Sequence, residues 1–313
     1  MEIRQLEAVV GINDHGTFSG AAEALGTVQS NISSRVARLE AELGTELIDR
    51  ATGAPTESGR VVVQRARRIL NELGAIAADV SELKADVRGR VRLGMIGSGG
   101  RWIVPLLRDA QRARFPHVAL HIIEGSNSTL EPQVVQGQLD VAVLAWPVDS
   151  PELTQSDLFD EDLVLIVPRG HPLAADRSPV SFETLSHYEL LLPLSGTPIR
   201  REIDEASRAQ GVELRPLLEM DGLRTIASLT FDGLGLSILP ATMLSRHLRD
   251  EFTTVPIAGI ARRRVVLVGR RFGFPSAPVR AVTALLGEVV ATAQDVPAGV
   301  YLPGGPRSAI IAG

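Results

Sequence analysis

The sequence predicts an α/β protein in three stretches: a small helical unit, one long helix, and a larger region in which strands and helices alternate. Two observations carry this. Apolar residues recur at helical spacing from Leu6 to Leu83, and from Val91 onward short apolar runs bounded by glycine or proline alternate with helical segments. The pattern changes at Arg88-Gly89-Arg90, which marks a domain boundary. A chain of 313 residues exceeds the roughly 100–200 residues of one domain, so two or three folding units are expected.

Residues 2–13 read as a short helix with Leu6, Val9, Val10 and Asn13 on neighbouring faces. Ser19 is a candidate N-cap for a second helix, Gly20–Leu25, where Ala21, Ala22 and Ala24 permit close helix–helix approach. Gly26 falls where the chain needs a left-handed residue, and Thr27 is placed to cap the next helix. Two helices joined by so few residues must turn sharply.

A third helix, about Val28–Leu43, has Ile32, Val36, Leu39 and Leu43 on its buried stripe. The opposite side carries Ser30, Asn31, Ser34, Ala37, Arg38 and Ala41, with Gln29 and Ser33 flanking it. Short hydrogen-bonding side chains without bulk suit insertion into a DNA major groove. The same pattern also suits a solvated, serine-rich helix face. Gly44 ends the helix, and residues 45–59 fit a small β-wing with a strand near Leu47–Arg50 and Thr56 at the next helix start. These elements make residues 1–59 a winged helix-turn-helix unit.

The next helix is expected to run to about Arg88, giving a linker over residues 60–88. Within it Val62, Ala66, Ile69, Leu73, Ile76, Val80 and Leu83 repeat at alternating spacings of four and three, the pattern of a coiled-coil seam. Such a stripe reads as a dimerisation surface, or as an amphipathic face packed on its own chain. Beyond it lie strands at 91–96, 118–123 and 140–144 with helices at 101–114 and 128–137 between them, which indicates βαβ units. A second series has strands at 162–167, 189–193, 215–219 and 235–238 with helices at 198–210 and 222–231; a strand at 263–271 and a helix at 276–294 follow. The Gly- and Pro-rich tail, 297–313, is expected to be disordered.

Composition narrows the chemistry. No cysteine occurs, which excludes disulfides, Cys-ligated zinc, iron–sulfur clusters and thiol catalysis. The N-terminus lacks a basic, then apolar, leader, and no run approaches the roughly 18 apolar residues of a membrane span, so a cytoplasmic location is expected. Net charge is −5, and residues 1–60 hold five arginines against nine acids. DNA binding would therefore depend on where cations sit rather than on how many there are. "GMIGSGG" has Trp102 where a dinucleotide fingerprint needs its third glycine, and Ile96 where a nucleophile elbow needs one. His117 and His121 straddle a strand start without a third ligand, and Asp160, Glu161 and Asp162 read as a solvated turn. No cofactor is expected.

Phe18, Ala21, Ala22, Leu25, Gln29, Ser33, Val36, Leu39, Glu40, Leu43, Gly44, Leu47, Arg50, Thr56 and Gly59 form a pattern that resembles the LysR-type transcriptional regulators. The resemblance runs from residue 1 to roughly 295, with weaker echoes at 115–125, 137–143, 158–174 and 233–240. It implies a C-terminal effector domain with the two-lobed fold of type 2 periplasmic binding proteins. Lobe I would comprise 91–167 with 265–295 and lobe II 168–264, the chain crossing near Pro168 and returning near Arg264. Carried over, Gln29, Ser30, Ser33 and Ser34 match positions that reach bases or nearby phosphates. Asn31 shares their face, and Arg35, Arg38, Arg50 and Arg60 serve as backbone clamps. Ser34 stands where the family often has Arg, and the wing "ATGAP" lacks a further Arg. Both departures remove cations, so a shallow salt dependence is expected.

"GSGGR" (97–101) follows the first strand of that domain, giving Ser98, Gly99, Gly100 and Arg101 a place to hold an anion at a helix start. "SGTPIR" (195–200) offers a similar start with Ser195 and a Thr197 cap; the resemblance places the two facing one cleft. Each loop alone is also ordinary turn chemistry. The expected function is a transcription regulator that binds double-stranded DNA as a dimer or tetramer, senses a small, anionic effector, and has RNA polymerase as a further partner. The alternative is a cytoplasmic solute-binding receptor without DNA-binding activity; an enzyme reading lacks any nucleophile, metal set or cofactor motif.

Overall fold

A computed structural model describes residues 1–83, 86–175 and 178–303. Helices α1 (Ile3–His15), α2 (Phe18–Ala24) and α3 (Gln29–Leu43) pack around Leu6, Val9, Ile12, Ala21, Ile32, Val36 and Leu39. The α2 N-cap is Thr17 rather than Ser19: its hydroxyl accepts the Gly20 amide at 3.0 Å, and starting there turns Ala21 and Ala22 into the core. Gly26 takes the left-handed conformation at φ +62°, which makes the tight corner between α2 and α3 possible. Val28, not Thr27, is the N-cap of α3, and it supplies no side-chain cap. Leu43, expected on the buried stripe, is exposed. The wing is pinned by an isolated antiparallel bridge between Ile48 and Pro55.

Helix α4 (Glu57–Glu82) starts on a Thr56 cap and ends well before Arg88. The reason lies in the next element: β1 (Gly89–Ile96) already pairs in parallel with β2 (Val118–Gly125) from Gly89 onward. Residues 84 and 85 of the expected linker lie outside the described residues. Ala66 is buried and Val62 half-buried against the helix-turn-helix core, so these two members of the seam pack on their own chain. Arg67, also buried, pairs with Asp14 at the end of α1 (Nη1 to Oδ2, 2.9 Å), fixing the helix to the N-terminal unit.

The remaining chain builds two sheets. The first has six strands in the order β11-β4-β10-β3-β1-β2, with β3 (Val141–Ala145), β4 (Leu153–Glu161), β10 (Arg263–Arg270) and β11 (Val300–Tyr301) completing it. Helices α5 (Gly97–Arg114), α6 (Asn127–Val135) and α10 (Ala277–Ala291) cover it. The second sheet, order β7-β6-β8-β5-β9, contains β5 (Leu163–Pro168), β6 (Leu190–Pro193), β7 (Pro216–Met220), β8 (Leu236–Pro240) and β9 (Phe252–Pro256). With it go α7 (Phe182–Leu185), α8 (Pro198–Ala209) and α9 (Leu223–Phe231).

The chain therefore crosses between sheets at Asp162, not near Pro168. The strand expected at 162–167 is β5, which pairs with β8 and β9 in the second sheet; before it lies a strand that the sequence did not announce, β4, which pairs antiparallel with β10 in the first. The two crossovers are tied side by side, Arg263 to Glu161 at 3.3 Å and Arg262 to Asp162 at 3.0 Å. Burial pushes the Glu161 carboxyl up, with Arg263 and the Thr242 hydroxyl opposing it. Part of the tail expected to be disordered is a strand: β11 pairs with β4, and Tyr301 donates to Asp162 at 2.8 Å. Residues 304–313 lie outside the described residues. Among the described residues no helix is long and apolar enough to cross a membrane.

Candidate DNA-reading face and interlobe cleft

On α3, Ile32, Val36 and Leu39 are fully buried while Gln29, Ser30, Asn31, Ser34 and Arg38 are exposed; Ser33 and Arg35 are half-buried at the margins. The expected outward face is thus a single polar surface at the start of the helix. Two of its side chains are braced. Ser19 Oγ donates to Gln29 Oε1 at 3.1 Å, and Asn31 Nδ2 donates to Thr27 Oγ1 at 2.9 Å. Arg50 reaches Glu40 Oε2 at 3.2 Å, and the other Glu40 oxygen accepts the Leu47 amide at 2.9 Å. Glu40 therefore couples α3 to the wing and half-neutralises Arg50. At the wing tip, hydrogen bonds from the Ala51 amide and from Thr52 hold the Asp49 carboxyl below its usual range.

In the first lobe, α5 begins at Gly97 itself, so the "GSGGR" segment is its first turn rather than a loop before it. Its N-cap, Ile96, has no side chain able to satisfy the first-turn amides. Ser98 is 1% exposed and its hydroxyl has no hydrogen-bond partner. A buried hydroxyl left unpaired costs free energy, and this one stands in the first turn of an uncapped helix. Gly97 lies against Glu124, close enough that a methyl group there would stand 2.9 Å from Glu124 Oε1. Glu124 pairs across the lobes with Arg224 at 2.5 Å, and a methyl group at Gly100 would meet Arg224 Nη2 at 3.4 Å.

The facing side differs from expectation. Helix α5 meets the second lobe through α9 and the turn at 241–243. Arg101 does not turn to the helix start; its guanidinium lies 5.7 Å from the ring centroid of Phe231 on α9. Ser195 and Thr197 are engaged within their own lobe. Thr197 Oγ1 donates to Leu194 O at 2.8 Å and accepts the Arg200 amide, and Ser195 Oγ donates to Glu219 at 3.2 Å. Glu219 is itself paired with the buried Arg200, whose hydrogen bond holds its carboxyl below the usual range. Glu124 and Arg224, which meet beside the start of α5, were not singled out by the sequence reading. The one sequence signal for Arg224 is Gly222, the α9 N-cap at φ +105°, which opens a second helix start without a side-chain cap.

Residues 84–291 match the LysR substrate binding domain, and residues 3–60 match the bacterial regulatory helix-turn-helix protein, lysR family. The chain belongs to the LysR family. It is a LysR-type DNA-binding transcriptional regulator. Similar proteins include a probable hydrogen peroxide-inducible genes activator of Mycobacterium leprae, 30% identical over 299 residues that cover 94% of this chain and 96% of that one. The DNA-binding transcriptional dual regulator OxyR of Escherichia coli K12 is 27% identical with the same coverage. Among solved structures, full-length OxyR from Pseudomonas aeruginosa with a cysteine-to-aspartate substitution shares 24% identity at a TM-score of 0.74, covering 95% of this chain and 99% of that one. Full-length CbnR in complex with its target DNA shares 23% at 0.63, covering 93% and 99%.

Proposed function

We propose that this LysR-type regulator acts in the cytoplasm as a dimer or tetramer. It reads pseudo-palindromic duplexes with the start of α3 and changes its assembly when a small carboxylate enters the cleft beside α5. The reading rests on the polar, exposed side of α3 lying opposite a fully buried stripe. Gln29, Ser30, Asn31, Ser33 and Ser34 would reach base edges or nearby phosphates, and Arg35, Arg38 and Arg50 would hold the backbone. RNA polymerase is the further partner through which promoter activity changes.

For the effector, the buried Ser98 hydroxyl supports an oxygen ligand at the α5 start, where the helix dipole and the amides of Gly99 and Gly100 favour negative charge. Arg224 is the cation in reach, already holding Glu124. The Arg224 and Glu124 side chains are 55% and 41% exposed, and such a pair contributes only about 0–1 kcal/mol. An incoming carboxylate can therefore replace Glu124 on Arg224. Regulation follows only if the ligand prefers one assembly, because equal affinity shifts nothing.

Duplex selection from a randomised library with the full chain tests the DNA arm. A dyad motif should emerge, and Ser34→Ala should relax its specificity without unfolding the protein; no enrichment would leave only the solute-receptor reading. For the cleft, small mono- and dicarboxylates should raise the melting temperature of the wild type, and Ser98→Ala and Arg224→Gln should abolish the shift. Retention of the shift in both variants would place the ligand elsewhere.

The names of the relatives point to peroxide, yet these 313 residues contain no cysteine. A thiol-based response is thus closed to this chain, since sulfenic acid and disulfide chemistry both begin at a thiolate. Hydrogen peroxide is expected to leave operator affinity within about twofold, the scatter of a well-run titration near 0.4 kcal/mol. A reversible, peroxide-dependent change in affinity would overturn this.

A further inference from the structure

We infer that the turn between β10 and α10, through Phe272 and Phe274, packs against the α4 helix of a second copy of this chain and completes the interface that the exposed α4 seam begins. The inference rests on the reading of that seam as a dimerisation surface.

Phe272 and Phe274 are 73% and 88% exposed, on either side of Gly273 at φ +101°. Contiguous exposed apolar surface of this kind marks an interaction site. The turn is also held in place along α4. The Ala277 amide donates to Asp79 at 2.7 Å, Arg280 pairs with Glu82 at 2.5 Å, and a methyl group at Gly273 would stand 3.6 Å from Glu72 Oε1.

Those anchors fix where the turn stands relative to the seam. Glu72 and Asp79 each have a seam residue four positions on, Ile76 and Leu83, which places these two next to the turn on the same side of the helix. They are also the most exposed members of the seam, at 60% and 87%, whereas Leu73, on the edge away from the turn, is 38% exposed. The apolar surface of α4 therefore leans toward the phenylalanines, and seam and turn form one patch.

Size and symmetry point to a second copy as the cover. The five exposed seam residues offer apolar area on the order of 500 Å², short of the roughly 800 Å² that each partner of a stable complex buries. The two phenylalanines add about 300 Å² and bring the patch to that size. In a two-fold arrangement seam packs on seam, so the turn of each chain, standing at the edge of its own seam, faces the flank of the partner's α4. One occupant then covers both surfaces. Because the turn belongs to lobe I, the contact joins the effector lobe of one chain to the linker helix of the other.

Full-length Phe272→Ser/Phe274→Ser should raise the dimer dissociation constant about a hundredfold in sedimentation equilibrium, the order expected for removing two aromatic side chains from an interface. Both residues are exposed, so helical content and affinity for a single half-site should not change. Ile76→Asp with Val80→Asp, measured alongside, tests the seam itself. A dimer that survives the α4 variant means that the seam reading is wrong, and this inference falls with it. Dissociation by the α4 variant but not by the turn variant overturns the role of the turn alone. Cross-linking gives a second readout, because the chain has no cysteine of its own. Tagged chains carrying Phe274→Cys, mixed with untagged chains carrying Ile69→Cys, Ile76→Cys or Val80→Cys, should form a mixed disulfide with at least one of them. Seam-to-seam disulfides with none to position 274 would overturn the contact even if the turn variant weakened the dimer.

Discussion

Gly59→Ala is expected to detach the wing from the long helix and abolish duplex binding. A methyl group at Gly59 would stand 1.9 Å from Leu47 O and 2.9 Å from Leu47 C, both backbone atoms. Neither side can yield cheaply. Leu47 O accepts the Thr56 amide at 2.9 Å, Thr56 Oγ1 accepts the Gly59 amide at 3.0 Å, and Leu47 and Ile48 are buried in the helix-turn-helix core. Overpacking a core typically costs about 1–3 kcal/mol, and a clash between two backbone segments belongs at or above the upper end. Gly74→Ala on the same helix is the control. Nothing lies within 4 Å of the added methyl, so better helix propensity should stabilise by about 0.5–1 kcal/mol. Denaturant unfolding and duplex affinity measured on both variants check this; an unchanged midpoint for Gly59→Ala would mean the wing does not rest on α4.

Gly59 was legible in the sequence only as part of a family pattern, without a reason; the carbonyl of Leu47 supplies one. The helical periods of α1 and α3 were legible directly, because each buries one stripe against a core the same elements create; the period of α4 was legible too, although five of its seven stripe residues are exposed. Strand β4 was not. Its sequence, LTQSDLFDE, alternates poorly because its middle residues are exposed, and its pairing with β10 shifts register between Val265 and Val266. Without β4, the crossing point was placed too late. Similar economy explains the shift at α2, where Thr17 and Ser19 are both competent caps and only the burial of Ala21 and Ala22 decides between them.

The cleft was less legible than the polar face of α3 for a physical reason. Helix-start rules look for a side-chain cap, and α5 has Ile96 in that place, so the first turn was mistaken for a loop. Glu124 and Arg224 are 100 positions apart with no local pattern to mark them, and they meet only because two sheets pack. Conversely Ser195 and Thr197 had the right local chemistry and spend it inside their own lobe. Sequence identifies a cap; it does not say whether the cap has capacity left for a ligand.

Charging the exposed part of the α4 stripe is expected to produce the other large effect. The seven-residue seam divides in two: Val62 and Ala66 pack on the helix-turn-helix core, whereas Ile69, Leu73, Ile76, Val80 and Leu83 are exposed, Ile76 at 60% and Leu83 at 87%. The inner face of the same helix is held by its own chain: Arg68 reaches Glu152 at 2.9 Å, Asn71 donates to Gly137 O at 3.0 Å, and Asp79 accepts the Ala277 amide at 2.7 Å. An amphipathic helix already satisfied on one side has no intrachain use for an apolar stripe on the other, and a second α4 would match it. Ile76→Asp combined with Val80→Asp would place two carboxylates per chain in that seam, while touching no residue of the N-terminal core. Sedimentation should show a shift toward monomer. Affinity for a two-half-site duplex should fall by about a hundredfold or more, because the second half-site is then bound without the effective concentration that tethering provides. Affinity for a single half-site should hardly change. Equal losses on both duplexes would mean that the substitutions damage the reading helix, and a dimer that survives intact would move the association to the effector domains.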